Sequence, residues 1–471
     1  MRKTVGEMCR VGFIFPSSDY LFDPFRGDPH THFQILTVLE DRFGSRVQLF
    51  LPDLRGIKRE FALYHIPECD IYLYSVYSLD FEELNFLVQG LRERYPKSKH
   101  IGGGPHAALF SEACLKIYDA LILGEGEEVM VSAVEDVMTS RELKPIYRQD
   151  HPLDINQFPF PRRKYLPAAT VARKGLMAMK KKPGYDQLLS ATVMFSRGCP
   201  YNCAFCAIPS VKKFSPGIRY RKPHLIEEEI RYLMQAYGMQ GISLLDEIAI
   251  PLKRDAAIAH LEAIGKTGIR WRGQTRVDSL TPEIARLACE SGCLTLSLGV
   301  ETPSQRALDI VHKNIDVARS KETIALLKKN DIECRVYLVS GMPGEPEDIV
   351  DQTMAFLEET QPDTVMVSLF TVRPGTAVYE HPERFGIKQL FTDWKNMMNL
   401  QNRYESEDIK LTFEYEEKTP WGRGFSREQI IRNFVELQKR IREKGMSSVL
   451  YKGPGDDGSG ARRSRDRKKD L

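Results

Sequence analysis

Cys199, Cys203 and Cys206 stand in one short run, Ser196-Arg197-Gly198-Cys199-Pro200-Tyr201-Asn202-Cys203-Ala204-Phe205-Cys206, with C-x3-C-x2-C spacing. Three thiolates on one loop hold three irons of a cubane cluster and leave the fourth iron without a protein ligand. An open iron can bind a small molecule and pass it one electron, which suits radical chemistry better than plain electron transfer. Zinc and free thiols are the competing readings. Structural zinc wants four protein ligands, and no neighbouring histidine or second C-x2-C completes such a set.

A loop of this kind needs a scaffold to aim it. Around it the sequence alternates short apolar runs with amphipathic stretches, which predicts strands over 192–196, 241–245, 269–275, 294–299, 332–339 and 364–369. Helices are expected between them over 225–237, 254–265, 282–291, 317–330 and 347–360. Six such units make a partial β/α barrel. Reacting groups in barrels collect at the C-terminal ends of the strands, and the cysteine loop follows the first strand.

The cysteine segment resembles the signature of the radical S-adenosylmethionine (radical SAM) enzymes, down to the aromatic Phe205 before the third cysteine. The resemblance implies a 4Fe-4S cluster held by Cys199, Cys203 and Cys206. Its open iron would chelate the amino and carboxylate groups of S-adenosylmethionine, and reduction would give methionine and a 5′-deoxyadenosyl radical. It also implies roles at other strand ends. Asp246 and Glu247 stand where related enzymes place acidic residues that meet the cofactor's amino group, a sensible contact for a carboxylate. Arg276 can pair with the methionyl carboxylate through a two-pronged hydrogen bond, or form a salt bridge with Asp278 instead. Gly299-Val300-Glu301-Thr302 is similar to a G-x-E-S/T element that puts Glu301 near the ribose. Gly341-Met342-Pro343-Gly344-Glu345 and Arg373-Pro374-Gly375-Thr376 also look like segments of this class, with turn formation as the simpler reading.

From about 9 to 130 the same alternation predicts five strands, over 11–15, 47–50, 70–75, 100–102 and 120–123, with helices over 31–43, 81–95, 105–116 and 127–138. That pattern is a doubly wound parallel sheet, which binds ligands beyond its strands' C-terminal ends. Two glycine turns fall there, Gly102-Gly103-Gly104-Pro105-His106 and Gly124-Glu125-Gly126-Glu127. They let a ligand approach the backbone, or they serve as tight turns. Together they look like the cobalamin-binding domain fused to one large class of radical SAM enzymes, which implies contacts from Gly102, Gly103, Gly104, Gly124, Glu125 and Gly126. Where cobalt is ligated by histidine, a D-x-H-x-x-G motif precedes the first helix. Here Asp28-Pro29-His30-Thr31-His32-Phe33 puts Phe33 in the glycine's place. A phenyl ring would fill the room that glycine leaves for the cofactor's tail, and His30 reads as a cap or surface residue rather than as a cobalt ligand.

The 471 residues, 42% of them hydrophobic, suffice for several cores. Nine cysteines, six of them scattered, do not form a disulfide framework. A formal charge of +3 gives no argument for a nucleic-acid partner. With no long apolar run and no apolar leader after Met1, no membrane partner is expected and the protein is placed in the cytoplasm. The expected class is therefore α/β: a cobalamin-binding-like domain over 1–140, a linker over 141–190, a partial (β/α)6 barrel over 191–390, a mainly helical extension over 391–452 with a helix at 427–444, and a disordered basic tail over 453–471. The linker's Phe158-Pro159-Phe160-Pro161-Arg162-Arg163 and Lys180-Lys181-Lys182 read as solvated surface, or as cover for a ligand shared by two domains. Trp394, Met397, Met398 and Leu400 read as core rather than substrate pocket.

The resemblance implies cobalamin-dependent radical chemistry, most simply C-methylation of an unactivated carbon. The alternatives are non-methylating cyclisation, rearrangement or oxidation, and a non-catalytic iron–sulfur redox sensor. The implied partners are a small-molecule or natural-product substrate and an electron donor such as flavodoxin or ferredoxin.

Overall fold

The computed structural model describes residues 8–18, 25, 28–177, 179, 183–208, 217–391 and 409–446. The lysine run at 180–182, Trp394, Met397, Met398, Leu400 and the basic tail lie outside them. Two six-stranded parallel sheets organise the chain, in the orders β2-β1-β3-β4-β5-β6 and β14-β13-β12-β11-β10-β7. The expected α/β class holds.

The first sheet contains β1 (Cys9–Ile14), β2 (Val47–Phe50), β3 (Ile71–Ser75), β4 (Lys99–Gly103), β5 (Ala120–Leu123) and β6 (Ile146–Arg148). Its interior strands are buried on both faces, as a sheet covered by helices requires. Strand order reverses between β1 and β3, which opens a crevice at their C-terminal ends. β6 was not expected. It lies in the segment read as connector and pairs with β5 through three residues, Ile146 to Arg148. The helix expected over 105–116 is broken into Pro105–Leu109 and Ser111–Cys114.

The second sheet runs through β7 (Ser190–Val193), β10 (Gly241–Leu244), β11 (Arg270–Thr275), β12 (Cys293–Glu301), β13 (Glu333–Ser340) and β14 (Thr364–Leu369) in chain order, a six-unit open barrel. After β7 the chain leaves the sheet. The two-residue strands β8 (Ser196–Arg197) and β9 (Arg219–Tyr220) then pair antiparallel and bracket the cysteine loop. Among the covering helices, Pro282–Glu290 begins with Thr281 accepting from the Ile284 amide at 3.3 Å and with proline in its first turn.

The arginines of the connector are not solvated surface. Arg162 binds Glu40 at 2.8 Å and also pairs with Asp41, while Arg163 is wholly buried and donates to the Thr192 carbonyl at 2.7 Å. Asp28 crosses the same seam to the Thr192 hydroxyl. The connector therefore glues the sheets together. Beyond the barrel, the described residues add two antiparallel pairs, Ile387–Leu390 with Phe413–Tyr415 and Lys418–Thr419 with Gly422–Arg423, so the extension is less helical than expected. The helix Arg427–Glu443 is present, with a Ser426–Gln429 capping box. Among the described residues, no helix is long and apolar enough to cross a membrane.

Candidate active site

The path into the cysteine loop is set by a buried carboxylate. Asp246, just past β10, accepts from the Phe195 amide at 3.1 and 3.2 Å and from the Ser196 hydroxyl at 2.6 Å. Burial pushes its pKa to about 7, against the pull of those donors. Both its oxygens are engaged by the loop's own backbone and serine. Glu247, the next residue, is turned out into the cleft, where desolvation raises its pKa. The two neighbouring acids thus have different surroundings, and only Glu247 is open to a ligand.

Downstream, the Ala204 amide donates to the Val311 carbonyl at 2.8 Å and the Ala204 carbonyl accepts from Val378 at 3.2 Å. These bonds hold the loop to segments that follow β12 and β14. Cys203 is buried, while Cys199 and Cys206 are half-buried toward the cleft. Burial pushes the Cys206 thiol up to about 11, and Glu247, Cys203 and Cys199 add to the effect. Cys203 and Cys199 thus act on Cys206 electrostatically, but among the described residues no three cysteine, histidine or acidic side chains close into a metal-holding group, so the fit to a cluster rests on the number and spacing of the thiols. A bound metal would supply the charge that draws off their protons, and the donor set fits three irons of a cubane.

Arg276, after β11, is turned toward the loop itself. Its Nε lies 3.0 Å from Asp278, its Nη2 reaches the Lys313 and Asn314 carbonyls at 3.0 and 3.3 Å, and its Nη1 approaches the Cys203 sulfur at 3.8 Å. The guanidinium lies 3.5 Å from the centre of the Tyr201 ring, whose hydroxyl donates to Asp278 at 2.9 Å. The salt bridge to Asp278 is thus the arrangement in this structure.

Glu301 sits at a bulge of β12 with φ of 68°, and Lys313 meets it at 2.5 Å. Both side chains are largely buried. A Cβ on Gly299 would lie 2.6 Å from Glu301 Oε1 and 3.0 Å from Lys313 Nζ, so the glycine of the G-x-E spacing makes room for this ion pair. Lys313 also stands 5.8 Å from the Phe205 ring centre, which ties the pair to the cysteine loop. Sequence reading missed Lys313. Nearby, Glu345 is buried, accepts from the Gly341 amide at 2.9 Å, and is pushed to about 8 by burial.

Across the cleft, the crevice of the first sheet opens into a cavity of about 320 Å³. Gly103, Gly104, Gly124 and Gly126 form its floor, and Met194, Arg197, Gly198 and Glu247 of the barrel form the facing wall. Gly104 and Gly124 have φ of 95° and 94°, where side chains are strained. Gly102 does not take part, because its missing Cβ faces the Tyr118 ring at 3.0 Å instead. Glu125 lines the cavity, but its carboxylate is held by Arg219 and the Leu153 amide at 2.7 to 2.8 Å. His30 also lines the cavity. It is buried, makes no side-chain cap, and its Nε2 has no hydrogen-bond partner. Burial and nearby Arg163, Arg197 and Arg221 hold its pKa well down. Phe33 packs into the core at 1% exposure. A glycine floor and an imidazole with an unpartnered Nε2 suit a ligand that approaches the backbone closely.

Two parallel sheets, one ending in a glycine-floored cavity and the other in a three-thiol loop beside it, define an α/β protein whose donor set suits an iron–sulfur cluster. Residues 193–357 match the model of the Radical SAM superfamily. The chain is 27% identical over 344 residues to an uncharacterized methyltransferase of Pyrococcus horikoshii, a match covering 71% of this chain and 70% of that protein. It is 24% identical over 343 residues to the bacteriochlorophyllide d C-12(1)-methyltransferase of Chlorobaculum tepidum, covering 72% and 68%. Its fold is shared with the radical S-adenosylmethionine methyltransferase TsrM from Kitasatospora setae, solved with cobalamin and a 4Fe-4S cluster bound, at a TM-score of 0.62 and 15% identity over 85% of this chain and 84% of that one.

Proposed function

We propose that this chain is a cobalamin-dependent radical SAM methyltransferase acting on an unactivated carbon of a small-molecule or natural-product substrate. The observation that carries the reading is the shared wall: Arg197 and Gly198, which lead into Cys199, line the same cavity as the glycines of the first sheet. A ligand in the cavity would therefore lie against the cluster loop.

When bound, the cluster supplies the electron that cleaves S-adenosylmethionine to methionine and a 5′-deoxyadenosyl radical, and cobalamin supplies the methyl group. Cys199, Cys203 and Cys206 hold three irons and leave the fourth for S-adenosylmethionine. Glu247, open to the cleft, accepts hydrogen bonds from the cofactor's ammonium. Glu301, held by Lys313, faces the ribose side, and Phe205 packs beside that pair. Asp246 and Arg276 position the loop. Gly103, Gly104, Gly124 and Gly126 give cobalamin its floor. A one-electron donor such as flavodoxin or ferredoxin completes the system, which we place in the cytoplasm.

Two S-adenosylmethionine molecules are consumed per turnover: one gives S-adenosylhomocysteine, and the other gives methionine and 5′-deoxyadenosine as the substrate loses hydrogen and gains methyl. Reduced, cluster-loaded protein given S-adenosylmethionine and hydroxocobalamin should release both adenosyl products. 5′-Deoxyadenosine alone, with cobalamin bound, would replace methyl transfer by a non-methylating radical reaction.

A further inference from the structure

The strands β8 and β9 form the neck of the cysteine loop, and their register sets Arg197 directly opposite Arg219. Like charges facing each other across a strand pair are destabilising. The neck's four residues, Ser196, Arg197, Arg219 and Tyr220, contain no acid to offset them. The acids come from the other domain. Glu125 receives Arg219 at 2.7 and 2.8 Å and Arg197 at 3.3 Å, and Glu127 pairs with Arg197. Arg219 also donates to the Leu153 carbonyl at 2.6 Å, and the Leu153 amide returns a bond to Glu125 at 2.8 Å. The carboxylates are nearly buried, at 9% and 4% exposure, so losing Arg197 leaves Glu127 without its partner while Glu125 keeps Arg219. At the tip of the neck, a Cβ on Gly198 would collide with the Gly217 carbonyl, and Cys199 follows at once.

We infer that Glu125, Glu127, Arg197 and Arg219 form an interdomain clasp through which occupancy of the glycine-floored cavity stabilises the cluster, with Arg197 as the positioning residue. The proposal rests on the cobalamin reading above. Gly124, Glu125, Gly126 and Glu127 are at once cavity wall and clasp, and Arg197 and Gly198 are at once cavity wall and neck. A ligand that orders the turn therefore orders the carboxylates that hold the neck. Coupling of this kind is reciprocal: whatever the ligand adds to cluster retention, the cluster adds to ligand affinity.

The test uses the full, cluster-loaded chain and the rate at which EDTA strips its iron, with and without saturating hydroxocobalamin. In the wild type the bound ligand should slow iron loss by about fivefold or more. In Arg197→Gln and Glu127→Gln the slowing should fall below about twofold, with Arg197→Lys between. Cobalt content is checked in each. Hydroxocobalamin affinity should also fall in a variant that still carries its iron, and the cluster should raise that affinity less than it does in the wild type. If Arg197→Gln fails to assemble a cluster, Glu127→Gln, a near-isosteric change away from the loop, decides. Equal protection in Glu127→Gln and wild type, or no protection in a wild type that holds cobalt, overturns the clasp alone. A wild type that takes up no cobalt overturns the cobalamin reading and the clasp with it.

Discussion

The two sheets make their sites by opposite means. In the first, the binding space exists because side chains are missing: Gly103, Gly104, Gly124 and Gly126 leave the floor bare, with Phe13, Ile35, Ile122 and Met130 around it and charged residues such as Arg197 and Glu247 on the facing side. In the second, side chains are present and, Glu247 apart, held by partners, with Asp246 on the Phe195 amide and Ser196 hydroxyl, Arg276 on Asp278 and the Lys313 carbonyl, and Glu301 on Lys313. The first site is therefore sensitive to added bulk and the second to lost atoms.

The sharpest break is on the barrel side. Cys203→Ala removes the buried member of the thiol set, and two thiolates cannot hold the cubane. Iron content and 5′-deoxyadenosine formation should both fall to background, and a variant that keeps turnover would contradict the cluster assignment. The mirror experiment adds atoms to the first sheet. Gly126 has ordinary backbone geometry and its Cβ would meet the Ile35 methyl end at 3.3 Å and an Ile122 methyl at 3.8 Å, so Gly126→Leu can fold while filling the cavity. Hydroxocobalamin affinity, followed by absorption, should drop by about tenfold or more while iron stays bound.

Lys313→Met tests whether the barrel depends on pairing. It strands Glu301 in a largely buried place, at a cost of about 3 kcal/mol in unfolding free energy measured with denaturant. S-adenosylmethionine affinity should weaken in parallel. An unchanged denaturation midpoint would show that the pair is idle.

Glu345 gives the clearest sign. Burial lifts its carboxyl from 4.5 to about 8, so over that interval the folded chain binds a proton that the unfolded chain has released. The group's contribution to stability then falls as pH rises from 4.5 to about 8 and is level above. Glu345→Gln should gain on the wild type across that window in pH-resolved denaturation, and a constant difference would place the titration elsewhere.

Much of this was legible in sequence because it is local. The strands β2, β5 and β14 and the helix Arg254–Gly265 follow from short-range pattern and agree with the structure residue for residue. The Gly299-x-Glu301 spacing was legible too, although its reason was not: the partner that needs the space, Lys313, sits in a turn where His312 and Asn314 have φ of 54° and 52°, and no motif marks it. Asp246 and Glu247 are indistinguishable as letters. Their roles divide because the chain before Cys199 passes one of them and leaves the other in the cleft. Arg162 and Arg163 read as a solvated charge run because their acidic partners, Glu40, Asp41, Asp28 and Glu229, lie on other elements. The edge strand β6, three residues long, has too little pattern to announce itself.

The central claim is that one chain brings both cofactors together, and cobalt and iron analysis tests it most directly. Anaerobically prepared, cluster-loaded protein is incubated with hydroxocobalamin, freed of unbound cofactor, and measured for both metals and for its absorption spectrum. About one cobalt and about four irons per chain are the predicted result. Protein with its irons but without cobalt would contradict the account and leave the glycine-floored cavity to another ligand.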